Sequence, residues 1–168
     1  MVVPQASGRV TRDADGLELL LERSFHSTAG EIWNWFTDSG LLERWIGIYG
    51  GIGAVGGTVE FTMTAEGDPP PETITILACE QPHHLLLEFA QEGEPSRIGI
   101  SLAEVGNTTT LFFRHRIKNA EEAGSMGVGW EYYLDRLIAA RDDAPTPDWD
   151  DYYPAMVPYF ERLASATP

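Results

Sequence analysis

The most regular hydrophobic pattern of the chain lies between residues 125 and 141. Glu131, Asp135 and Arg136 fall mostly on one side of a helix drawn through this segment and are expected to meet water. The pattern predicts a long amphipathic helix that begins between residues 119 and 125 and needs a large apolar surface to cover it. The apolar side chains recur on the other side at intervals of three and four residues: Met126, Trp130, Tyr133, Leu134, Leu137 and Ile138.

Upstream of this helix, apolar and polar positions alternate in a succession of short runs, which is the pattern of β-strands. No helical pattern separates the later runs, so antiparallel pairing is expected. Residues 1–13 have no such pattern and are predicted to be a loose end or a weak edge strand. The strand-like runs are residues 17–25, 58–63, 73–79, 84–89, 97–102 and 108–117.

Capping signals between the first two runs predict two short helices. Thr28 is followed three residues later by Glu31, so the threonine hydroxyl is placed to accept a hydrogen bond from the Glu31 amide and to open a helix through Phe36. Asp38 is expected to cap a second helix that extends through Trp45.

The glycine-rich stretch after these helices contains a literal G-x-G-x-x-G, formed by Gly51, Gly53 and Gly56. A dinucleotide site of this form needs a strand before the glycines and a helix after them. Here a predicted helix precedes them and a predicted strand follows. The stretch is therefore interpreted as a loop, and no cofactor is predicted.

Beyond the long helix, the chain changes character. Residues 142–147 are rich in Asp and Pro, and an aromatic stripe follows at helical spacing, interrupted by Pro154 and Pro158. The stripe is expected to fold back on the domain or to pack on a neighbouring subunit, and a homodimer through it is one alternative. The predicted organisation is a loose N-terminus over residues 1–13, one domain over 14–142 and an aromatic extension over 143–168. The stripe consists of Trp149, Tyr153, Met156, Phe160 and Leu163.

Charge narrows the classes of function. The chain has 11 basic and 26 acidic residues and a formal charge of −15, which repels phosphate backbones and anionic lipid. Roles on nucleic acid or membranes are therefore not expected. The single cysteine, Cys79, is predicted to be a small buried hydrophobe. That cysteine usage, and an N-terminus without a signal-peptide pattern, predict a cytoplasmic protein.

Few side chains are candidates for metal binding or nucleophilic catalysis. His83 and His84 are adjacent, and His26 and His115 have no Cys or His partner at ligand spacing, so no metal site is predicted. Nucleophilic catalysis needs a Ser or Cys beside a histidine, and nothing in the pattern brings Cys79 to one. No catalytic residue is assigned.

His115 is the polar candidate for a binding site. It shares strand parity with Leu111 and Phe113, so it is expected to face inward, near Trp130. In an apolar cavity, a neutral imidazole is able to hydrogen-bond a ligand carbonyl or hydroxyl, or to shuttle a proton. The favoured alternative is a histidine satisfied by a neighbouring backbone or tyrosine group.

The predicted order is a strand, two short helices, a strand meander and a long helix. The residues that carry a family resemblance lie in and between these elements: Arg23, Phe25, Trp33, Phe36, Thr37, Asp38, Leu42, Glu43, Arg44, Trp45, Gly56, Gly57, Val59, Phe61, Thr109, Leu111, His115, Gly129 and Trp130. Over residues 17–141 the chain resembles homologues of the C-terminal domain of the heat-shock-protein-90 ATPase activator, a branch of the START and birch-pollen-allergen superfamily. The resemblance implies an α+β helix-grip fold, in which a curved antiparallel sheet of about six strands wraps the long helix.

The resemblance also implies a small hydrophobic ligand held in a cavity between the sheet and the long helix, without turnover as the preferred interpretation. Two alternatives stay open: an aromatase/cyclase-like enzyme acting on a polyketide-type substrate, and a co-chaperone-like or self-associating interaction module. The same side chains form an ordinary core if the interior closes completely. The residues expected to line a ligand site are Trp33, Trp45, Phe61, Phe89, Phe113, His115, Trp130, Tyr133 and Leu137.

Overall fold

The structure is a computed structural model that describes residues 3–50, 53–67, 69–90 and 93–167. It is an α+β protein with a curved antiparallel sheet and a long C-terminal helix, as the sequence predicts. In chain order the elements are β1 Arg9–Asp13, β2 Gly16–Phe25, α1 Ala29–Thr37, α2 Ser39–Leu42, β3 Gly47–Tyr49, β4 Thr58–Met63, β5 Glu72–Glu80, β6 His84–Phe89, β7 Ser96–Val105, β8 Thr108–Ile117, α3 Ala120–Arg141, a 3₁₀ turn Trp149–Asp151, and α4 Val157–Ala166.

The sheet has eight strands in the order β1-β2-β8-β7-β6-β5-β4-β3, so the predicted number of about six is wrong. The two additional strands are the edges, β1 and β3. β1 is almost wholly exposed and therefore has no apolar alternation to reveal it. β3 has three residues and lies at the start of the glycine-rich stretch, where turn residues hide a strand pattern.

A glycine makes the β3 edge possible. A side chain at Gly47 would place its Cβ atom 2.3 Å from the carbonyl oxygen of Thr62 and 2.9 Å from the Phe61 ring. Of the G-x-G-x-x-G motif, Gly51 lies outside the described residues. The remainder lies between β3 and β4, without a following helix, and Gly56 adopts φ +86°. A loop with a left-handed glycine accounts for this part of the motif.

The two predicted caps form. The Thr28 hydroxyl accepts a hydrogen bond from the Glu31 amide at 3.2 Å, and the Asp38 carboxylate accepts one from the Leu41 amide at 3.1 Å. The second helix ends at Leu42 rather than at the predicted Trp45.

The chain divides into two compact units, each with its own packing. We call Met1–Glu22 with Arg114–Pro168 the terminal unit, and Arg23–Phe113 the central unit. Within the described part of the chain, no helix is long and apolar enough to span a membrane.

The central unit is filled by aromatic and aliphatic side chains. The rings of Phe36 and Trp45 meet edge to face at 5.3 Å, and the Trp45 indole nitrogen donates to the carbonyl of Trp35 at 2.9 Å. The Tyr49 hydroxyl donates to the carbonyl of Phe36. Cys79 is half-buried rather than buried, because β5 is only partly covered near its end.

The terminal unit is built on α3, and α4 lies against it. The ring of Phe160 is completely buried, and a Cβ atom added at Gly127 would come within 2.4 Å of it. A Cβ atom added at Gly8 would come within 2.7 Å of the same ring. The two glycines therefore let the helices and the N-terminal segment approach closely around one aromatic side chain.

Candidate functional site

The residues predicted to line a ligand site fall into both units. Trp33, Trp45, Phe61, Phe89 and Phe113 belong to the central unit, and His115, Trp130, Tyr133 and Leu137 belong to the terminal unit. We call the second set the His115 cluster.

The His115 cluster is centred on one polar pair. His115 lies near the end of β8 and is 4% exposed, in agreement with its strand parity. The indole nitrogen of Trp130 donates a hydrogen bond to Nδ1 of His115 at 2.9 Å, and the two rings meet nearly edge to face, with centroids 6.1 Å apart. One partner of this histidine is thus a tryptophan, whereas the sequence favoured a backbone or tyrosine group.

The electrostatics of this pair fix the protonation of the imidazole. Burial lowers the pKa of His115 from 6.5 to about 4, because an imidazolium loses its hydration in the interior. The ring is therefore neutral at pH 7. Since Nδ1 accepts the hydrogen bond from Trp130, the single ring proton resides on Nε2. The imidazole is a hydrogen-bond donor at Nε2 and carries no charge.

Aromatic side chains of α3 continue the cluster. The rings of Trp130 and Tyr133 are tilted against each other with centroids 6.2 Å apart. Tyr133 also meets the ring of Tyr132 at 5.3 Å, and Leu137 follows on the same side of the helix one turn later. Tyr133 and Leu137 are buried, whereas Trp130 is half-buried. The arrangement combines an apolar aromatic surface with a few polar atoms at known positions.

The remaining predicted residues are packing residues of the central unit. Trp33, Trp45, Phe61 and Phe113 are all less than 10% exposed, and Phe89 is half-buried. Phe61 is held between the Tyr49 ring, at 6.1 Å between centroids, and the backbone of β3. Such contacts serve to fill an interior.

Sequence reasoning missed a buried carboxylate on α3. Glu131, predicted to meet water, is 1% exposed. Its carboxylate accepts hydrogen bonds from the backbone amide and, at 2.9 Å, from the hydroxyl of Ser7. The prediction is wrong because α3 is covered on a second side by α4 and the N-terminal segment. No periodicity signals a contact between residues so far apart along the chain.

Two histidines outside the cluster, His83 and His84, take part in hairpin contacts. Nδ1 of His83 lies 3.3 Å from the Leu102 carbonyl, and Nδ1 of His84 lies 3.3 Å from the Ser101 hydroxyl. Among the described residues, no three His, Cys, Asp or Glu side chains come together as a metal-binding group.

Comparisons with known proteins agree with the architecture. The crystal structure of CalU16 from Micromonospora echinospora superposes with a TM-score of 0.76 at 22% identity, covering 96% of this chain and 98% of that one. DynU16, described as a putative protein in the dynemicin biosynthetic locus, gives a TM-score of 0.66 at 20% identity, over 78% of this chain and 49% of that one. An HSP90 activator from Plasmodium falciparum gives 0.60 at 16% identity, over 77% and 99%.

The TM-scores of these superpositions show that the proteins share a fold. No curated protein matches the chain in sequence. The sequence model of one family, described as "Activator of Hsp90 ATPase homolog 1-like protein", matches residues 26–141, which is more than half of the chain. The chain therefore belongs to the family of Activator of Hsp90 ATPase homolog 1-like proteins.

Proposed function

We propose that the protein binds a small hydrophobic molecule at the His115 cluster. The observation that carries this proposal is the pair of buried His115 and half-buried Trp130, a neutral imidazole held by an indole within an aromatic surface. Ligand sites of proteins are mostly apolar, with a small number of fixed polar groups that set orientation. Membership of the family supports the proposal, because its fold is built around a long helix with an apolar side.

Binding would be driven by removal of apolar area from water, which contributes about 25 cal/mol per Å². The orientation of the ligand would be set by a hydrogen bond from Nε2 of His115 to a carbonyl or hydroxyl oxygen. The Tyr133 hydroxyl is proposed as a second group that orients the ligand. The fitting class of ligand is therefore an aromatic or polycyclic molecule with at least one oxygen acceptor.

The test uses two probes of the same size, 2-naphthol and naphthalene, titrated against the protein while its tryptophan fluorescence is followed. His115→Phe keeps an aromatic ring but removes the donor, so 2-naphthol is expected to bind about tenfold more weakly and naphthalene about equally. His84→Asn, in the β6–β7 hairpin, is the matched control and should change neither affinity.

Two results would contradict the proposal. One is the absence of saturable binding for both probes; the other is equal binding of 2-naphthol by the protein and by His115→Phe. Native mass spectrometry of the purified protein, followed by denaturing extraction, adds an independent readout, because a co-purifying apolar molecule would identify the natural ligand.

An aromatase/cyclase-like reaction is less well supported by this site. General acid–base catalysis works best with a group whose pKa lies near the working pH. Burial holds the pKa of His115 at about 4, so the imidazole is a weak base at neutral pH. The cluster is thus better suited to holding a ligand than to transferring its protons.

An interaction role is the remaining alternative, either co-chaperone-like or self-associating. Self-association through the aromatic stripe has less support than ligand binding, because Met156 and Phe160 are already buried. We also propose a reducing compartment such as the cytoplasm, supported by the free thiol of Cys79.

A further inference from the structure

Two large aromatic side chains of the C-terminal extension remain in contact with solvent. Trp149 is 38% exposed and Tyr153 is 49% exposed, whereas Tyr152, Met156 and Phe160 of the same extension are buried. Tryptophan and tyrosine are enriched at protein interfaces and are frequent among the residues that dominate binding energy. The exposure of both rings is therefore compatible with a role in binding a partner.

These two rings are held in place before any partner binds. They stack with centroids 5.6 Å apart and an angle of 10° between their planes. Tyr132 of α3 meets the Trp149 ring at 5.1 Å, nearly at right angles. The neighbouring Tyr152 is tied to α3 by its hydroxyl, which donates to Asp135 at 2.7 Å. A partner that contacts an ordered platform loses less conformational entropy than one that must order it.

The segment that carries Trp149 and Tyr153 is rich in carboxylates. The sequence contains no Lys or Arg between residues 142 and 161. Five aspartates within this range are exposed: Asp142, Asp143, Asp148, Asp150 and Asp151. We call the last three, with Trp149 and Tyr153, the aspartate–aromatic surface.

The chemistry of this surface selects a planar cation. The faces of aromatic rings carry negative electrostatic potential, and a guanidinium stacks on them while its N–H groups bond to carboxylates. The chain itself makes this contact. The Arg136 guanidinium lies 5.6 Å above the ring of Tyr132, beside the Trp149 ring. The Arg44 guanidinium lies 4.9 Å above the Trp35 ring.

The surface is open to solvent, which favours a macromolecular partner over a small ligand. A small-molecule site surrounds most of its ligand, and rings this exposed on a helical segment do not. A second copy of the chain is disfavoured, because each copy carries a formal charge of −15 and the same acidic surface. We propose that the aspartate–aromatic surface docks an arginine-containing basic segment of another protein.

The test measures fluorescence anisotropy of a labelled peptide of alternating glycine and arginine, compared with lysine and citrulline versions. Binding is expected in the order arginine, lysine, citrulline, and should weaken as ionic strength rises. Trp149→Ala and Tyr153→Ala should each weaken arginine-peptide binding by about fivefold to tenfold. The double variant Asp150→Asn/Asp151→Asn should weaken it and reduce its salt dependence.

The controls are changes of the same kind elsewhere on the surface. Val105→Ala removes an apolar side chain that is 80% exposed, and Glu43→Gln/Glu72→Gln removes two exposed charges, so both should leave the affinity unchanged. Circular dichroism establishes that each variant is folded. If Trp149→Ala fails to fold, the affinities of Tyr153→Ala and of the double variant Asp150→Asn/Asp151→Asn test the proposal instead.

Three results would overturn the proposal. The first is no binding of the arginine peptide, or equal binding of the arginine and citrulline peptides. The second is equal affinity of the protein and all variants of the aspartate–aromatic surface. The third is a concentration-dependent dimer in sedimentation velocity that Tyr153→Ala abolishes, since the occupant would then be a second copy of the chain.

Discussion

His115 shows how much one residue's neighbours decide its chemistry. Its place in an alternating strand predicts burial, and burial then lowers the pKa of the imidazole to about 4. The identity of its partner does not follow from the sequence, because the hydrogen bond from Trp130 depends on how one helix turn lies against one strand end.

The lowered pKa makes stability depend on pH. Below 6.5 the unfolded chain protonates His115 while the folded chain does not, so the stability present above that pH falls as pH drops towards 4. The full loss over this window is about 3 kcal/mol. Urea unfolding at several pH values should show a steeper fall for the protein than for His115→Gln, which retains an acceptor for Trp130 but does not titrate.

Asp13 titrates at a lower pH than His115 and therefore provides a control for the pH range between 6.5 and 4. Its pKa is lowered from 3.8 to about 2, chiefly by the hydrogen bond from the Arg116 guanidinium. A carboxylate of lowered pKa stabilises the fold above 3.8 and loses that contribution only below it. Arg116→Gln should therefore lower the free energy of unfolding by a constant amount above pH 4, leave its slope between pH 6.5 and 4 unaltered, and flatten its fall below pH 4. Identical slopes for the protein and His115→Gln between pH 6.5 and 4 would contradict the assignment to His115.

At the scale of elements, the sequence was sufficient to predict where a helix begins when the residues that determine its start lie within a few positions of one another. The caps of α1 and α2 were predicted in this way. The start of α3 was predicted only to lie between residues 119 and 125, and the structure places it directly after Asn119, whose side chain accepts from the Glu122 amide at 2.9 Å. The second buried side of α3 was not predicted. It is covered by α4 and the N-terminal segment, which lie far from α3 along the chain, so Glu131 was predicted to meet water.

The glycines of α3 give a matched pair of variants at this scale. Gly127→Ala places a methyl group within 2.4 Å of the Phe160 ring and should destabilise the protein by about 1–3 kcal/mol. Gly129→Ala meets nothing within 4 Å and should stabilise it by about 0.5–1 kcal/mol, because alanine favours the helix.

Chemical denaturation of both variants gives the sign of each change. Destabilisation by both would mean that the backbone of α3, and not the contact with Phe160, is sensitive. Stabilisation by both would mean that α4 does not lie against Gly127.

At the scale of the whole molecule, the order of elements and the resemblance over residues 17–141 were sufficient for the fold. The site was predicted less completely for a physical reason. Trp33, Trp45 and Phe61 have the composition of a ligand wall and of a core alike, and only their contacts show that they fill the central unit.

The C-terminal extension lies beyond the residues that the family model matches, and we expect it to contribute to the stability of the whole chain. Phe160→Ala removes a fully buried ring between Gly8 and Gly127 and should cost about 3–5 kcal/mol. Tyr153→Ala, at an exposed position, is the control and should cost less than about 0.5 kcal/mol. Thermal unfolding of the two variants distinguishes an extension that is integral to the fold from one that is an independent appendage, for which both changes would be small.

Hydrogen bonds between the N-terminal and C-terminal segments of the terminal unit also determine when this unit is able to form during synthesis. The carbonyl of Gly8 accepts from the Tyr159 hydroxyl at 2.8 Å, and that of Val10 accepts from the Thr167 hydroxyl at 3.3 Å. A ribosome adding about 5–20 residues per second needs on the order of ten seconds or more to synthesise the intervening chain. Throughout that interval the carbonyls of Gly8 and Val10 lack these partners, so the edge strand β1 stays open to mispairing until α4 has left the ribosome.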